Sequence, residues 1–192
     1  SHVSVFEIEG IDRLILLTDA AFNTYPDLKQ KVQIINNSVM VAKACGIENP
    51  KVAPVCAVEV VNPDMPATID AALLSKMSDR GQIKGCIVDG PLALDNALSE
   101  EAAHHKGVTG PVAGKADVLL LHDIDVANVM YKSLTYTAKT KIIKAFYGIC
   151  FIKAVNKKKQ NKSVLAKNHF SHTIIPISFK QTDIIFPFHN FW

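Results

Sequence analysis

The stretch Asp117-Val-Leu-Leu-Leu-His-Asp-Ile-Asp-Val-Ala-Asn128 decides the fold class of this chain. Its four consecutive apolar residues are typical of a strand that is covered on both faces, and Ile124 begins a helical pattern that continues to about residue 138. A buried strand that turns directly into a helix is the repeating unit of a parallel α/β sheet. Polar residues that follow such strands gather beyond their carboxyl ends, where open α/β sheets bind ligands.

Similar strand-then-helix units precede this stretch. The pattern predicts strands over residues 13–18, 51–61 and 85–89, and helices over residues 27–46, 66–81 and 92–104. Residues 3–9 alternate apolar and polar before a Gly-containing turn, so we expect a hairpin with the strand that follows. The sequence therefore predicts an α/β fold of three layers, with helices on both faces of a mostly parallel sheet.

The charge distribution divides the chain of 192 residues near residue 138. Residues 1–136 carry 11 basic and 17 acidic side chains, whereas residues 137–192 carry ten lysines, one acid, seven of the nine Phe and the only Trp. Such a break indicates two segments of different origin or role. We expect an α/β domain over residues 1–138 and a divergent basic, aromatic tail over residues 139–192, in which residues 141–155 form a strand or a buried helix.

Cysteine usage and hydropathy indicate the compartment. Cys45, Cys56, Cys86 and Cys150 lie far apart without a C-x-x-C pair, which favours a reduced cytoplasmic protein. No apolar stretch reaches membrane-spanning length, and we expect no targeting segment at the start of the chain. The lysine run at residues 157–159 lacks a nucleic-acid recognition motif. We therefore expect neither a membrane nor a nucleic acid as a partner.

The first candidate for chemistry is Asp89-Gly90-Pro91, which follows a predicted strand directly. A carboxylate at a strand end can accept a hydrogen bond or act as a base, and glycine lets the backbone approach a ligand closely. The alternative is a plain turn in which Asp89 caps the next helix. Asp19 ends an earlier strand in the same way, and it either lines a cleft or stabilises its own turn.

Residues 107–115 form a Gly-rich loop that ends at Gly114-Lys115. The loop fails the P-loop pattern, because Thr109 stands where the first glycine belongs and Ala116 replaces Ser or Thr. A P-loop also follows a strand, whereas this loop precedes one. Phosphate binding by its backbone N–H groups and an ordinary connection both remain open.

The residues after the quoted strand offer three further candidates. Asp123 is well placed to cap the helix, while Asn128 and Lys132 share a helix face at i, i+4 spacing. An amide and an ammonium on one face suit an anionic ligand, although a solvated face gives the same pattern. A metal site at His122, Asp123 and Asp125 is disfavoured, since no matching ligand set occurs upstream.

Together, these motifs resemble the phosphate acetyl/butyryltransferase family, and their wording is closest to its butyryltransferase branch. The resemblance covers roughly residues 1–138. It rests on six motifs in order: Leu16-Leu-Thr-Asp-Ala-Ala21, Val61-Asn-Pro-Asp-Met-Pro-Ala-Thr68, Leu74-Ser-Lys-Met-Ser-Asp-Arg-Gly-Gln-Ile-Lys-Gly85, Val88-Asp-Gly-Pro-Leu-Ala-Leu-Asp-Asn-Ala97, Pro111-Val-Ala-Gly-Lys-Ala-Asp117 and Asn128-Val-Met-Tyr-Lys-Ser-Leu134.

The resemblance implies a fold like that of the isocitrate/isopropylmalate dehydrogenases, with two α/β domains around a cleft, and a homo-oligomer such as a dimer. The implied reaction converts butyryl-CoA and phosphate into butyryl phosphate and CoA, with no bound cofactor or metal; the CoA thioester and phosphate are substrates. It assigns catalytic roles to Asp89 and Asp123. Substrate-binding roles fall to Asp19, Gly90, Gly114, Asn128 and Lys132.

Two departures from the family pattern keep other functions open. The family has a portion before the point where this sequence begins, and after Ala138 the chain lacks its Thr-Ser-Arg-Ala-Asp-Ser segment, which serves phosphate binding and proton transfer. His122 and Ala127 also stand where Pro and Gly are usual. The alternatives are an inactive remnant that acts as a folded or oligomerising module, and a phosphate acetyltransferase. A metal-dependent dehydrogenase is disfavoured, since neither a carboxylate cluster nor a nicotinamide motif is present.

Overall fold

The computed structural model describes residues 1–138 in full and only the backbone of residues 140–147 and 175–177. Within these residues seven strands form one sheet. The strands are β1 (His2–Ile8), β2 (Ile15–Thr18), β3 (Lys51–Pro54), β4 (Ile87–Val88), β5 (Val118–Leu120), β6 (Thr140–Tyr147) and β7 (Ile175–Ile177).

The sheet has the order β4-β3-β5-β2-β1-β6-β7. Strands β4, β3, β5 and β2 are mutually parallel, with Val52 paired to Val118 and Leu17 to Leu119. Strand β1 is antiparallel to both β2 and β6, and β6 is antiparallel to β7. Five of the seven described strands thus point the same way, which confirms the mostly parallel α/β sheet and the hairpin at its start.

The described part of the chain has five helices between its strands, and local sequence explains where three of them begin. In α1 Asp27 and Gln30 form a capping box, Pro66 occupies the first turn of α2, and Asp123 caps α5 by accepting from Val126 N. The helices are α1 (Leu28–Ala44), α2 (Pro66–Asp79), α3 (Leu94–Leu98), α4 (Glu100–His105) and α5 (Ile124–Tyr136).

Helices cover both faces of the sheet. On one face Ile35 of α1 and Leu74 of α2 pack on Val52 and Val88. On the other face α3 and α5 pack on a second cluster that includes Leu119. Connections from the neighbouring strands β2 and β5 therefore leave toward opposite faces, and this arrangement opens a crevice beyond their carboxyl ends.

Two predicted elements differ from the structure. The strand predicted over residues 51–61 ends at Pro54, which has no N–H for the sheet, and Cys56 N instead donates to Leu92 O. The helix predicted over residues 92–104 is two helices, because Ser99 is extended (φ −120°, ψ 120°) and caps α4 by accepting from Ala102 N. Both interruptions come from backbone hydrogen bonds that hydrophobic periodicity does not report.

Part of the predicted tail joins the sheet. Thr140–Tyr147 is a strand along β1, which resolves the choice between strand and helix for that part, with a bulge opposite Val5 and Phe6. Ile175–Ile177 adds the short strand β7. The other residues of the proposed tail segment, 139, 148–174 and 178–192, lie outside the described residues.

Candidate functional site

The carboxyl ends of β2 and β5 carry two segments that are bonded to each other. Ile124 N donates to Thr24 O at 3.0 Å, and Asn128 Nδ2 donates to Ala20 O at 3.1 Å. The loop that begins at Asp19 and the first turns of α5 therefore form one wall. Asp19, Asp123 and Asn128 come together on it, as expected of polar residues that follow adjacent parallel strands.

Asp19 is buried and organises the loop after β2. Its Oδ1 accepts from the backbone N–H groups of His2 (3.0 Å), Ala21 (3.1 Å) and Phe22 (3.2 Å). Its Oδ2 accepts from Asn23 N (3.2 Å) and from the Asn23 side-chain amide. A carboxylate satisfied by so many donors fixes the shape of the loop, which is the turn-stabilising alternative; a direct role in substrate binding remains a prediction.

His2 lies behind this loop and makes the fold sensitive to acid. Burial lowers the pKa of His2 from 6.5 to about 4, although the Asp19 carboxylate opposes part of the decrease. Between these values the unfolded chain binds a proton that the folded chain does not. The contribution of neutral His2 to the free energy of unfolding is therefore complete above pH 6.5. It is lost as the pH falls to 4, and the loss is about 3 kcal/mol.

We therefore predict that His2→Gln flattens the dependence of stability on pH. Urea unfolding of wild type and variant at pH 7 and pH 4.5 should show an acid-induced loss that is smaller in the variant by about 2–3 kcal/mol. His105→Gln is the matched control, since the His105 side chain is 73% exposed. Equal losses in His2→Gln and wild type would contradict the prediction.

Asp123 caps the first turn of α5, and Lys132 lies farther along the helix on the face that carries Asn128. Asp123 Oδ1 accepts from Val126 N at 2.9 Å, so the structure confirms the predicted capping of α5. Lys132 follows Asn128 by one helical turn and is exposed. This face thus combines an amide bonded to the β2 loop with an ammonium that reaches solvent, an arrangement able to meet an anionic group.

Asp89 and Gly90 lie at the carboxyl end of β4, away from Asp19. Two strands separate β4 from β2, so the distance across the sheet is about 14 Å. Burial raises the pKa of Asp89 above its ordinary value, and the Asp79 carboxylate adds to the rise. A Cβ at Gly90 would stand 3.2 Å from Pro54 O, so the glycine permits close packing on β3. The protonated form of Asp89 is thus more favoured than that of an exposed aspartate.

Gly114 lies elsewhere, toward the amino-terminal edge of the sheet. Arg13, which precedes β2, donates from Nη2 to Gly114 O (3.0 Å) and from Nε to Ala116 O (3.0 Å). Gly114 has φ +73°, and a Cβ there would stand 2.5 Å from Glu100 Cα. The structure does not bring Gly114 together with the other candidates, because residues 111–117 precede β5 rather than follow it.

Sequence reasoning missed a cluster in which buried Lys31 contacts half-buried Asp70 and His122. Lys31 Nζ lies 2.6 Å from Asp70 Oδ2 and 3.0 Å from His122 Nδ1. The Lys31 side chain is only 3% exposed. The available signal was its spacing, since Lys31 is four residues before buried Ile35 and so falls on the apolar stripe of α1.

Two of the described thiols, those of Cys56 and Cys86, do not suit nucleophilic catalysis. Burial raises the pKa of Cys56 to about 11, and it does the same for Cys86. Both therefore stay protonated at neutral pH, and the thiolate is the reactive form of cysteine.

A cleft of about 290 Å³ adjoins the β2 loop. It is lined mainly by side-chain amides, those of Asn23, Gln30, Gln33 and Asn37, together with Phe22. No charged residue lines this cleft. Its chemistry fits the uncharged, hydrogen-bonding part of a ligand.

The described residues contain neither a metal-binding group nor a membrane-spanning helix. Residues with assigned positions include no group of three or more His, Cys, Asp or Glu that could hold a metal ion. In the same part of the chain, no helix has the length and apolar character needed to span a bilayer.

Comparison with known proteins identifies the class of protein that this α/β domain represents. Residues 1–146 match the family described as "Phosphate acetyl/butaryl transferase". The match covers most of the chain, and the chain therefore belongs to this family.

Individual relatives agree with the family assignment. The chain is 74% identical over 141 residues to the phosphate butyryltransferase of Clostridium acetobutylicum, which covers 73% of this chain and 47% of that protein. It is 56% identical over 146 residues to the phosphate acetyltransferase of Thermotoga maritima, covering 76% and 50%. The crystal structure of a branched-chain phosphotransacylase from Enterococcus faecalis V583 superposes with a TM-score of 0.70 and 38% identity, covering 76% and 51%. The chain thus spans about half the length of the relatives it matches.

Proposed function

We propose that this chain forms one wall of a phosphate acyltransferase site that converts butyryl-CoA and phosphate into butyryl phosphate and CoA. The observation that carries the proposal is the family match over residues 1–146, with 74% identity to a protein named phosphate butyryltransferase. The crevice beyond β2 and β5 supplies a place for the reaction, and its polar residues supply contacts for charged substrates.

We assign roles to the candidate residues from their positions. Lys132 and Asn128 contact phosphate or the CoA phosphates, because they share one face of α5 and Asn128 is bonded to the loop after β2. Asp19 and Asp123 hold the loop and helix that carry these contacts. Asp89 and Gly90 shape the far side of the crevice, and Gly114 supports it from the opposite edge. The amide-lined cleft beside Asn23 suits the uncharged arm of CoA.

Further expectations come with the proposal. The family resemblance favours a two-domain arrangement like that of the isocitrate/isopropylmalate dehydrogenases, with a homo-oligomer and a cytoplasmic location. Rate acceleration in such a site would come mainly from positioning and charge stabilisation around phosphate. The sequence after Ala138 differs from the family's Ser-Arg segment, and this difference favours the second candidate, a folded module without activity.

The test is thiol release from butyryl-CoA by the purified chain, with and without phosphate, and with acetyl-CoA as the competing substrate. Phosphate-dependent release supports acyl transfer, and the faster thioester identifies the acyl preference. Absence of release from a folded chain would contradict the proposed activity and favour the inactive module.

Where release occurs, we predict that the double variant Asn128→Ala/Lys132→Ala lowers its rate by about 100-fold, or about 2.7 kcal/mol of transition-state stabilisation. The matched control is Lys29→Ala/Asn36→Ala, which removes the same side-chain types from exposed positions on α1. The control should keep the wild-type rate. Equal losses in the two double variants would mean that Asn128 and Lys132 have no special role.

A further inference from the structure

The structure determines which nitrogen of His122 carries the proton. Lys31 Nζ lies 3.0 Å from His122 Nδ1, and the same ammonium binds Asp70 Oδ2 at 2.6 Å. An ammonium has hydrogen-bond donors only, so Nδ1 must act as the acceptor. The imidazole is therefore neutral, and its proton is on Nε2.

The Nε2–H group is accessible to solvent rather than enclosed in the protein interior. Among the described residues Nε2 has no hydrogen-bond partner, and it is not one of the buried polar atoms left without a partner. The ring is half-buried at the carboxyl end of β5, next to Asp123. Burial lowers the pKa of His122, and the Lys31 ammonium lowers it further, so the ring stays neutral at pH 7. His122 thus offers a fixed, uncharged N–H donor.

The charges around His122 indicate which acceptor it meets. Lys31, Asp70 and Asp123 are the charged groups that act on the ring, and together they carry one net negative charge. A phosphate at this point would face two carboxylates, with only the buried ammonium to offset them. A neutral carbonyl oxygen has no such cost and accepts an N–H well.

We propose that His122 contacts the substrate by donating Nε2–H to the carbonyl oxygen of the transferred acyl group, with Lys31 and Asp70 as positioning residues. This assignment rests on the proposed acyl transfer. The resemblance leads us to expect proline at residue 122, and proline has no side-chain N–H group. The proposed hydrogen bond from His122 to the thioester is therefore particular to this chain.

The hydrogen bond would act without any proton transfer through His122. When the CoA thiolate attacks butyryl phosphate, the C–S bond forms and the C–O bond to phosphate breaks. Phosphate leaves with the electron pair of that bond and takes up the proton released by the thiol. The partial negative charge that grows on the carbonyl oxygen is smaller than the charge of a phosphate, and a fixed donor stabilises it against the nearby carboxylates. A neutral ring with Nδ1 occupied by Lys31 is suited to this task and poorly suited to act as a base.

The test compares two ligands that differ only at the carbonyl group: butyryl-CoA and its thioether analogue S-butyl-CoA. Calorimetric titration of the full chain gives Kd for each. One hydrogen bond of about 1 kcal/mol corresponds to a preference of about 5-fold for the thioester. His122→Gln keeps an N–H donor near the Nε2 position and should keep the preference. His122→Asn ends short of that position and should bind both ligands equally.

Imidazole ¹⁵N spectra provide the second measurement. In the free chain the His122 signal, identified by its loss in His122→Asn, should show the tautomer protonated on Nε2. The ¹⁵N chemical shift of His122 Nε2 should change when butyryl-CoA is added and should not change when S-butyl-CoA is added. Equal affinities and equal shifts for the two ligands would overturn the role of His122 while leaving the proposed function intact. Failure of the folded chain to bind either ligand would overturn both.

Discussion

Replacing Gly114 by alanine is expected to lower the free energy of unfolding by about 4 kcal/mol, a large fraction of the stability of a domain of this size. Two costs combine. Gly114 has φ +73°, which alanine adopts at a cost of about 1–2 kcal/mol. The new Cβ would also stand 2.5 Å from the backbone N and Cα of Glu100, and the start of α4 must shift to admit it. Urea unfolding followed by circular dichroism measures the loss.

Gly107→Ala is the matched control for this prediction. Gly107 belongs to the same Gly-rich loop and has φ +66°, but a Cβ there would meet nothing within 4 Å. Gly107→Ala should therefore lower the free energy of unfolding only by the cost of a positive φ for alanine, about 1–2 kcal/mol. If both variants lose the same stability, the close packing of Gly114 on Glu100 is not what requires glycine. A Gly114→Ala chain of normal stability but weakened butyryl-CoA affinity would instead favour the substrate-binding role.

Replacing Lys31 by methionine is expected to cost about 3 kcal/mol of stability. The change keeps most of the volume of the side chain but leaves Asp70 and His122 Nδ1 without their shared donor. Removing one member of a buried ion pair costs about 3–5 kcal/mol, and the lower figure applies because the Asp70 side chain is 27% exposed. Chemical unfolding at pH 7 gives the difference.

Two further variants separate burial from charge in this prediction. Lys76→Met breaks the exposed pair of Lys76 and Asp79, whose side chains are 64% and 61% exposed, and should change stability by less than about 0.5 kcal/mol. The double variant Lys31→Met/Asp70→Leu removes both charges and should recover most of the loss. A cost in Lys31→Met no greater than in Lys76→Met would mean that the buried cluster does not stabilise the fold.

Sequence predicted the elements whose signals are local. Asp27 and Gln30 mark the start of α1, Pro66 marks α2, and Asp123 marks α5; each acts within its own helical turn. Periodicity failed at Ser99, where the hydrophobic pattern continues across an extended residue. The break at Ser99 accompanies long-range bonds such as Gly114 N to Asn96 O, and no property of residues 92–104 alone reports them.

The site was predictable to the extent that it depends on strand order. Residues that follow β2 and β5 meet because parallel strands share a carboxyl edge, so the proximity of Asp19, Asp123 and Asn128 was predictable, while their roles stay predictions. Lys31 was missed because its partners are 39 and 91 residues away along the chain. A lysine in an apolar stripe indicates a buried charge, but sequence does not identify the carboxylate and the imidazole that accept hydrogen bonds from it.

The position of β1 also affects how the protein forms during synthesis. One edge of β1 pairs with β2, which follows it closely in the sequence. The other edge pairs with Thr140–Tyr147, which is synthesised much later. Until that segment leaves the ribosome, a strand containing the buried residues Val3, Val5 and Phe6 exposes a row of unpaired amides. Such an edge readily pairs with another chain. We therefore expect the strand after α5 to limit aggregation of the nascent protein, apart from any contribution to catalysis.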